Sequence, residues 1–263
     1  QQEALNFFGD SSVYIEKLIL QPKHIEVQIL ADNYGNTVYL GERDCSMQRR
    51  KQKVLEETPS PIMTSELRKK MGEDAVKAAK ACGYKNAGTI EFLVDKDMNY
   101  YFMEMNTRIQ VEHPITEEVT GIDLVKSQIK IASGEKLEYT QDDIHIQGHA
   151  IECRINAENP NLNFRPSPGK IEALHIPGGF GIRVDSAVYQ GYTIPPYYDS
   201  MIAKLIVHAK SREEAIMKMK WALSEFIVDG VDTNIDYQLA IIKNDTFKKG
   251  NYNNAFLETD FKL

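Results

Sequence analysis

Strands that arrive in hairpins, with single helices between them, predict an α+β fold built on a mainly antiparallel sheet. Three observations carry that prediction. Polar–apolar alternation over residues 24–31 and 37–40 is joined by the turn-rich DNYGN, and two apolar runs around the polar patch 95–99 form a second hairpin. One amphipathic helix, over 64–84, stands between these hairpins in place of repeated strand–helix units. After a polar link at 138–143 the pattern returns to strands, so the repeated βαβ units of a doubly wound parallel sheet are missing.

Taken in order, residues 13–20 also alternate and are expected to open a β-meander with 24–31 and 37–40. TSELRKKMGEDAVKAAKACGY then has Thr64 as N-cap, apolar or small residues every three or four positions, and Gly83 past its end. In AGTIEFLVDKDMNYYFMEMN, a turn centred between Asp97 and Met98 places Glu91 and Glu104 directly across from each other. Pro114 opens another helix, expected to run to near Gly134 with Glu117 and Glu118 in its first turn. Strands follow over 149–156, 169–176, 182–188 and 200–209, and helices over 211–228 and 234–243 close the chain. A domain boundary near Gln147 divides it into 1–146 and 147–263.

Composition narrows the function classes. A net charge of −7 argues against a general nucleic-acid binder, which needs a basic face. No apolar run approaches the roughly 18 residues of a membrane helix, and Cys45, Cys82 and Cys153 lack metal-ligand spacing and suit a reducing compartment. A soluble cytoplasmic protein without nucleic-acid or membrane partners is expected.

The chemistry concentrates in FMEMNTRIQVEHP, residues 102–114. If this stretch is extended, Glu104, Asn106, Arg108, Gln110 and Glu112 share one face. A solvated face is the ordinary explanation, but such faces favour Thr, Ser or Lys over Asn. Two carboxylates about 4 Å apart, as Glu91 and Glu104 would be, repel by roughly 4 kcal/mol at an effective dielectric near 20, and a divalent cation between them reverses that cost. Glu91, Glu104 and Asn106 therefore read as an oxygen-ligand platform for a cation and phosphates, with Arg108 placed to hold an anion. A one-residue register slip would turn Glu91 to the other face. A second cluster, in GERDCSMQRRKQKVLEE over 41–57, gathers Arg43, Arg49, Arg50, Lys51 and Lys53 between acidic flanks. Alone it reads as a solvated charge run.

In combination the segments are far more specific. ERDCSMQRRKQK, EFL, EMNTRIQVEHPITE, HAIECRINAE and PYYDSMIAKL, in this order, resemble the biotin carboxylase family of ATP-grasp enzymes, most like the biotin carboxylase subunit of acetyl-CoA carboxylase. The resemblance covers essentially the whole chain, and it implies the C-terminal half of an ATP-grasp fold followed by the biotin carboxylase C-terminal domain. The implied reaction makes carboxyphosphate from ATP and bicarbonate, then carboxylates biotin on a carrier protein, the first step of malonyl-CoA formation for fatty acid synthesis. By position, Glu91, Glu104 and Asn106 match ligands of Mg²⁺ or Mn²⁺, with two ions expected. Lys53, Arg108, Gln110 and Val111 match the bicarbonate site, Glu112 the general base, and Arg154 the arginine that stabilises the biotin enolate. Glu16, Lys17, Ile19, His24, Gln48 and Leu93 match residues around the nucleotide, with Glu91 and Glu104 beside its phosphates. The implied partners are a biotin carboxyl carrier protein, carboxyltransferase subunits and a second copy of the full-length chain. Lys51 departs from the His expected at its position. The family's N-terminal domain and glycine-rich phosphate lid are expected ahead of Gln1, so the piece given is expected to be inactive alone. The carboxylase region of pyruvate carboxylase, another ATP-grasp ligase, and a non-catalytic dimer-forming module are the alternatives.

Overall fold

The computed structural model describes residues 1–262. Its central feature is one eight-stranded antiparallel sheet made of β1 (Lys23–Ala31), β2 (Thr37–Arg49), β3 (Gln52–Thr58), β4 (Asn86–Val94), β5 (Tyr100–Asn106), β6 (His149–Asn156), β7 (Ile182–Ser186) and β8 (Met201–Ala209). Their spatial order is β7-β8-β6-β3-β2-β1-β4-β5. The longer helices are α1 (Gln2–Phe8), α2 (Ser65–Ala81), α3 (His113–Thr120), α4 (Leu124–Ala132), α5 (Arg212–Glu225) and α6 (Ile235–Lys243). An α+β architecture with a mainly antiparallel sheet is what the sequence predicts. Strands from before and after Gln147 share the layer, because β3 pairs with β6 from Leu55↔Cys153 to Thr58↔Ala150.

Two helical groups cover the sheet's apolar surfaces. Thr64 caps α2, its Oγ1 accepting from the Leu67 amide at 3.1 Å. That helix lays Met71, Ala75 and Ala79 on Ile25, Val27, Ile29, Ile90 and Phe92. Over the other half, Ala215, Met219, Leu223, Ile241 and Ile242 of α5 and α6 pack on Ile151, Ile155, Leu205 and Val207. Burying each large aliphatic side chain contributes about 1.5–3 kcal/mol. β1 is buried on both faces: Ile25, Val27 and Ile29 meet α2, and the intervening polar residues His24, Glu26 and Gln28 are buried too. That second, polar face needs internal partners, and it forms the floor of the site described below.

Several local expectations change. Residues 13–20 form no strand, and Ile15, Leu18 and Leu20 are exposed. Alternation needs an open strand edge to pair with, and both edges of β1 are already taken by β2 and β4. The strand expected at 37–40 continues to Arg49, and β3 supplies the next rung. The helix expected from Pro114 to near Gly134 is two helices. Gly121 adopts the left-handed conformation (φ 70°) and ends α3, and the Asp123 side chain caps α4 by accepting from the Lys126 amide. Because α3 begins at His113, Glu117 and Glu118 fall in its second turn and face Arg183, at 2.7 and 3.6 Å. The strand expected at 169–176 changes partner midway: Gly169–Lys170 pairs with Thr193–Ile194, whereas Ala173–His175 pairs with Ile227–Asp229.

Candidate active site

The register of the central hairpin holds. Glu91 on β4 pairs with Glu104 on β5, with a bulge immediately after it. The expectation of an extended run through Glu112 does not hold, because β5 ends at Asn106 and residues 107–112 form an irregular link into α3. Entry to that helix, with Pro at its second position, takes the chain out of the sheet. The link still delivers its polar side chains. Gln110 and Glu112 fold inward and are buried, whereas Arg108 stays exposed at the rim.

Lys53 on β3 is the centre of the arrangement. Its Nζ donates to Glu26 Oε2 at 2.6 Å, Glu91 Oε1 at 3.0 Å and Glu112 Oε1 at 2.6 Å. Beside it, Arg43 is wholly buried and spends its guanidinium on Glu26 (2.5 Å), Gln28 (2.7 Å), Thr116 (3.0 Å), Gln110 (3.0 Å) and Thr89 (3.3 Å). Gln110 in turn donates to Glu91 Oε1 at 2.8 Å. On the far side of Lys53, Arg154 of β6 donates to Glu56 at 2.6 Å and to Glu112 Oε2 at 3.1 Å. The two oxygens of Glu112 thus meet two different cations, Lys53 and Arg154. The carbonyl of Val111 is fixed by Lys204 Nζ at 3.0 Å.

The electrostatics follow from burial and partners. Burial alone would raise Glu91 and Glu26, but His24 and Lys53 hold Glu91, and Arg43 and Lys53 hold Glu26, down to about 2. Burial would lower the Lys53 ammonium, and the surrounding carboxylates raise it above its ordinary value instead. For Glu56, burial prevails over the attraction of Arg154 and lifts its pKa to about 7.

Lys53, Glu91, Gln110, Glu112 and Arg154 line a cleft of about 1310 Å³. The residues given site roles from the sequence border it: Lys53, Arg108, Gln110, Val111, Glu112 and Arg154 on one side, and Glu91, Glu104 and Asn106 on the β4–β5 hairpin. Glu16, Lys17, Ile19, His24, Gln48 and Leu93 line the same cleft. Lys17 lies over the Tyr101 ring with Nζ 5.2 Å from its centroid. Arg108 forms no ion pair among the described residues. It donates to Asn106 Oδ1 and to the Ile109 carbonyl, each at 3.2 Å.

Glu91 and Glu104 pair across the hairpin and border the cleft with Asn106, oxygen-bearing side chains of the kind that suit a hard divalent cation, although Asn106 here donates to Glu104 Oε1 at 3.2 Å and its Oδ1 accepts from Arg108. Two other groupings suit one less. His24, Glu26 and Glu91 bring ligand atoms within 4.8 Å of one another. Gln48 Nε2, however, donates to both the Cys45 carbonyl (2.8 Å) and His24 Nδ1 (2.9 Å). With Nδ1 accepting from Gln48, the hydrogen-bearing nitrogen is His24 Nε2, 3.0 Å from Glu91 Oε2, so the ring faces that carboxylate as a donor and not as a metal ligand. Glu26, Cys45 and Glu112 surround a volume that the Lys53 ammonium already occupies.

Sequence reasoning missed Glu26, Gln28, Glu56 and Glu152, and it gave Arg43 no role beyond a charge run. For Glu26, Gln28 and Glu152 the signal was present as alternate polar residues in KHIEVQILA and HAIECRIN, but alternation by itself points a polar face to water.

Residues 1–140 match the family model described as carbamoyl-phosphate synthase L chain, ATP binding domain, and residues 152–259 match the biotin carboxylase C-terminal domain. Biotin carboxylase 1 of Bacillus subtilis (strain 168) is 62% identical over 260 residues, covering 98% of this chain and 58% of that protein. A pyruvate carboxylase subunit from Methanothermobacter thermautotrophicus is 59% identical over 258 residues, covering 98% and 52%. Among solved structures, the biotin carboxylase domain of a thermophilic 2-oxoglutarate carboxylase bound to bicarbonate superposes with a TM-score of 0.95 at 53% identity, covering 98% of this chain and 58% of that one. The same domain from Hydrogenobacter thermophilus, a dimer in complex with MgADP, ADP and bicarbonate, gives 0.94 at 52% identity, covering 100% and 59%. The chain spans between half and three-fifths of the length of these relatives.

Proposed function

The chain belongs to the biotin carboxylase family, and from that premise we propose that it supplies the bicarbonate- and biotin-handling part of an ATP-dependent carboxylating ligase. The observation that carries this reading is the Glu112 carboxylate held between Lys53 and Arg154, at 2.6 and 3.1 Å. Cations beside the base can bring an anionic substrate within proton-transfer reach of it and stabilise charge that develops on a second substrate.

In this mechanism bicarbonate enters between Lys53, Arg108 and Gln110, against the backbone at Val111, and displaces part of the Lys53–Glu112 contact. Arg108 offers a planar two-pronged donor to a planar anion, which Lys cannot. Glu112 accepts the bicarbonate proton, a bicarbonate oxygen bonds to the γ-phosphorus of ATP, and the bond to ADP breaks, giving carboxyphosphate. Glu91, Glu104 and Asn106 would hold Mg²⁺ or Mn²⁺, which supplies charge neutralisation at the phosphates when bound. Glu16, Lys17, Ile19, His24, Gln48 and Leu93 border the nucleotide. The C–O bond of carboxyphosphate then breaks, the phosphate released takes the proton of the biotin ureido nitrogen, and that nitrogen bonds to the freed carboxyl carbon; Arg154 stands where negative charge develops on the ureido oxygen meanwhile.

The reading extends to a cytoplasmic acetyl-CoA carboxylase subunit that serves malonyl-CoA formation, dimerises in full length, and works with a biotin carboxyl carrier protein and carboxyltransferase subunits. Residues 1–146 would be the end of the lid and the ATP-grasp C-terminal subdomain, and 147–263 the biotin carboxylase C-terminal domain. The 59% identity to a pyruvate carboxylase subunit supports a second carboxylase assignment for the same half-reaction.

The test is phosphate release from ATP by the full-length protein, with bicarbonate and biotin omitted in turn. Release that requires both supports the proposal, and release indifferent to biotin overturns it. The 263-residue chain alone is expected to give none, since losing one preorganised donor already costs roughly 10²–10³ in rate. Turnover by the chain within tenfold of the full-length rate would overturn that part.

A further inference from the structure

Where β3 meets β6, Glu56 and Glu152 are directly opposite each other. Both are wholly buried, and such pairs carry their Cβ atoms roughly 4.5–5.5 Å apart. Their partners are unequal. Glu56 Oε1 accepts from Arg154, whereas Glu56 Oε2 and both oxygens of Glu152 have no hydrogen-bond partner among the described residues. A buried carboxylate without partners is costly enough that the group takes up a proton instead.

The groups facing the pair leave little to neutralise a second charge. Arg154 and Cys153 lie on β6, Lys53 on β3, Cys45 on β2, Lys204 on β8, and Glu112 at the head of α3. From α3 itself, His113 is bonded to the Gln110 carbonyl and Glu117 to Arg183. Lys53 is spent on Glu26, Glu91 and Glu112, and Lys204 on Val111 and Asp185. Arg154 is the one cation bonded to the pair among the described residues, and it also serves Glu112.

We propose that Glu56 and Glu152 hold one proton between them, seated on Glu152, and that Glu56 is a positioning residue for carboxyl transfer, fixing the Arg154 guanidinium against Glu112. The positioning role rests on the proposed function, and the proton does not. Burial and the neighbouring Glu56 push Glu152 well above the carboxylate range, and Glu56 itself is lifted to about 7. The two titrate as a pair. As pH falls through the lower step, Glu56 gains a proton and its bond to Arg154 loses its charge assistance.

The proton is tested by unfolding the chain at a series of pH values, as wild type and as Glu152→Gln, with Glu152→Met as a second neutral variant. The folded carboxyl has a raised pKa, so its stabilising contribution is full below the unfolded value of 4.5 and is lost as pH rises toward the folded one. As pH rises above 4.5, the folding constant of wild type relative to either variant is expected to fall, by up to about tenfold per pH unit. A ratio that stays flat or rises overturns the proton. The positioning role is tested in the full-length protein. Glu56→Gln is expected to lower kcat for biotin carboxylation with the KM for ATP unchanged and to erase the acid limb near pH 7, with Glu56→Asp restoring part of both. A reduced rate that keeps the wild-type limb overturns that role. Absence of biotin carboxylation in the wild-type protein removes it along with the proposed function, while the unfolding series still decides the proton.

Discussion

Replacing Lys53 by Met keeps most of the apolar stem and removes the charge shared by three carboxylates. Lys53 is 13% exposed at its side chain, and Glu26, Glu91 and Glu112 are buried around it at 2.6–3.0 Å. Breaking a buried ion pair from one side costs about 3–5 kcal/mol, because the remaining charges stay buried without compensation. Arg43 still serves Glu26, and Arg154 still serves Glu112, so the cost of losing three contacts falls within that range and is not three times it. At roughly 2–4 °C per kcal/mol, the midpoint of thermal unfolding drops by roughly 6–20 °C. The deficit depends on pH. Glu91 and Glu26 have folded pKa values of about 2 against 4.5 unfolded, so their stabilising contribution is present above 4.5 and lost as pH falls toward 2. Urea unfolding of wild type and Lys53→Met is therefore expected to show the full deficit at pH 7 and a shrinking one below pH 4.5. A loss under about 1 kcal/mol at pH 7 would show that the three carboxylates do not depend on Lys53, and the site's central contact would be wrong.

In the full-length protein, Arg154→Ala is expected to spare the KM for ATP and depress biotin carboxylation by about 10²-fold, the scale of one lost charge-stabilising donor; a collapse of ATP affinity with normal carboxylation per bound ATP would contradict that role. Gly72→Ala on α2 would set a Cβ 2.5 Å from the Tyr39 ring. Helix propensity favours Ala by about 1 kcal/mol, overpacking costs about 1–3 kcal/mol, and the net effect measured by urea unfolding is a loss of stability, refuted by a gain.

Legibility in the sequence followed the range of the interaction concerned. The Glu91↔Glu104 pairing was readable because a hairpin's register depends only on its own turn, and Thr64 was readable because a cap acts within one helical turn. The break at Gly121 was missed because Pro114 announced a helix start and the apolar pattern resumes at Leu124, so the two helices look like one. Residues 13–20 failed as a strand for a non-local reason, the prior occupancy of both β1 edges. The same limit hid the pairing of β3 with β6, which brings Glu56 and Arg154 together across a separation of 98 positions. Nothing within either segment encodes that neighbour. The buried network of Arg43 with Glu26 and Gln28 was masked differently: each residue looks solvated in its own strand, and only the link 107–112 and α3 lying over the sheet turn that face inward.

At the heart of the proposed mechanism, Glu112, held by Lys53 and Arg154, is the base of a bicarbonate- and ATP-dependent carboxylation of biotin. The decisive experiment is transfer of label from labelled bicarbonate into biotin by the full-length protein with ATP and Mg²⁺, compared with Glu112→Gln, which keeps the side chain's size and removes its basicity. Labelled carboxybiotin is expected from the wild-type protein, with a loss of at least about 10²-fold in the variant, the scale of removing a general base. Equal transfer by both proteins would show that Glu112 is not that base.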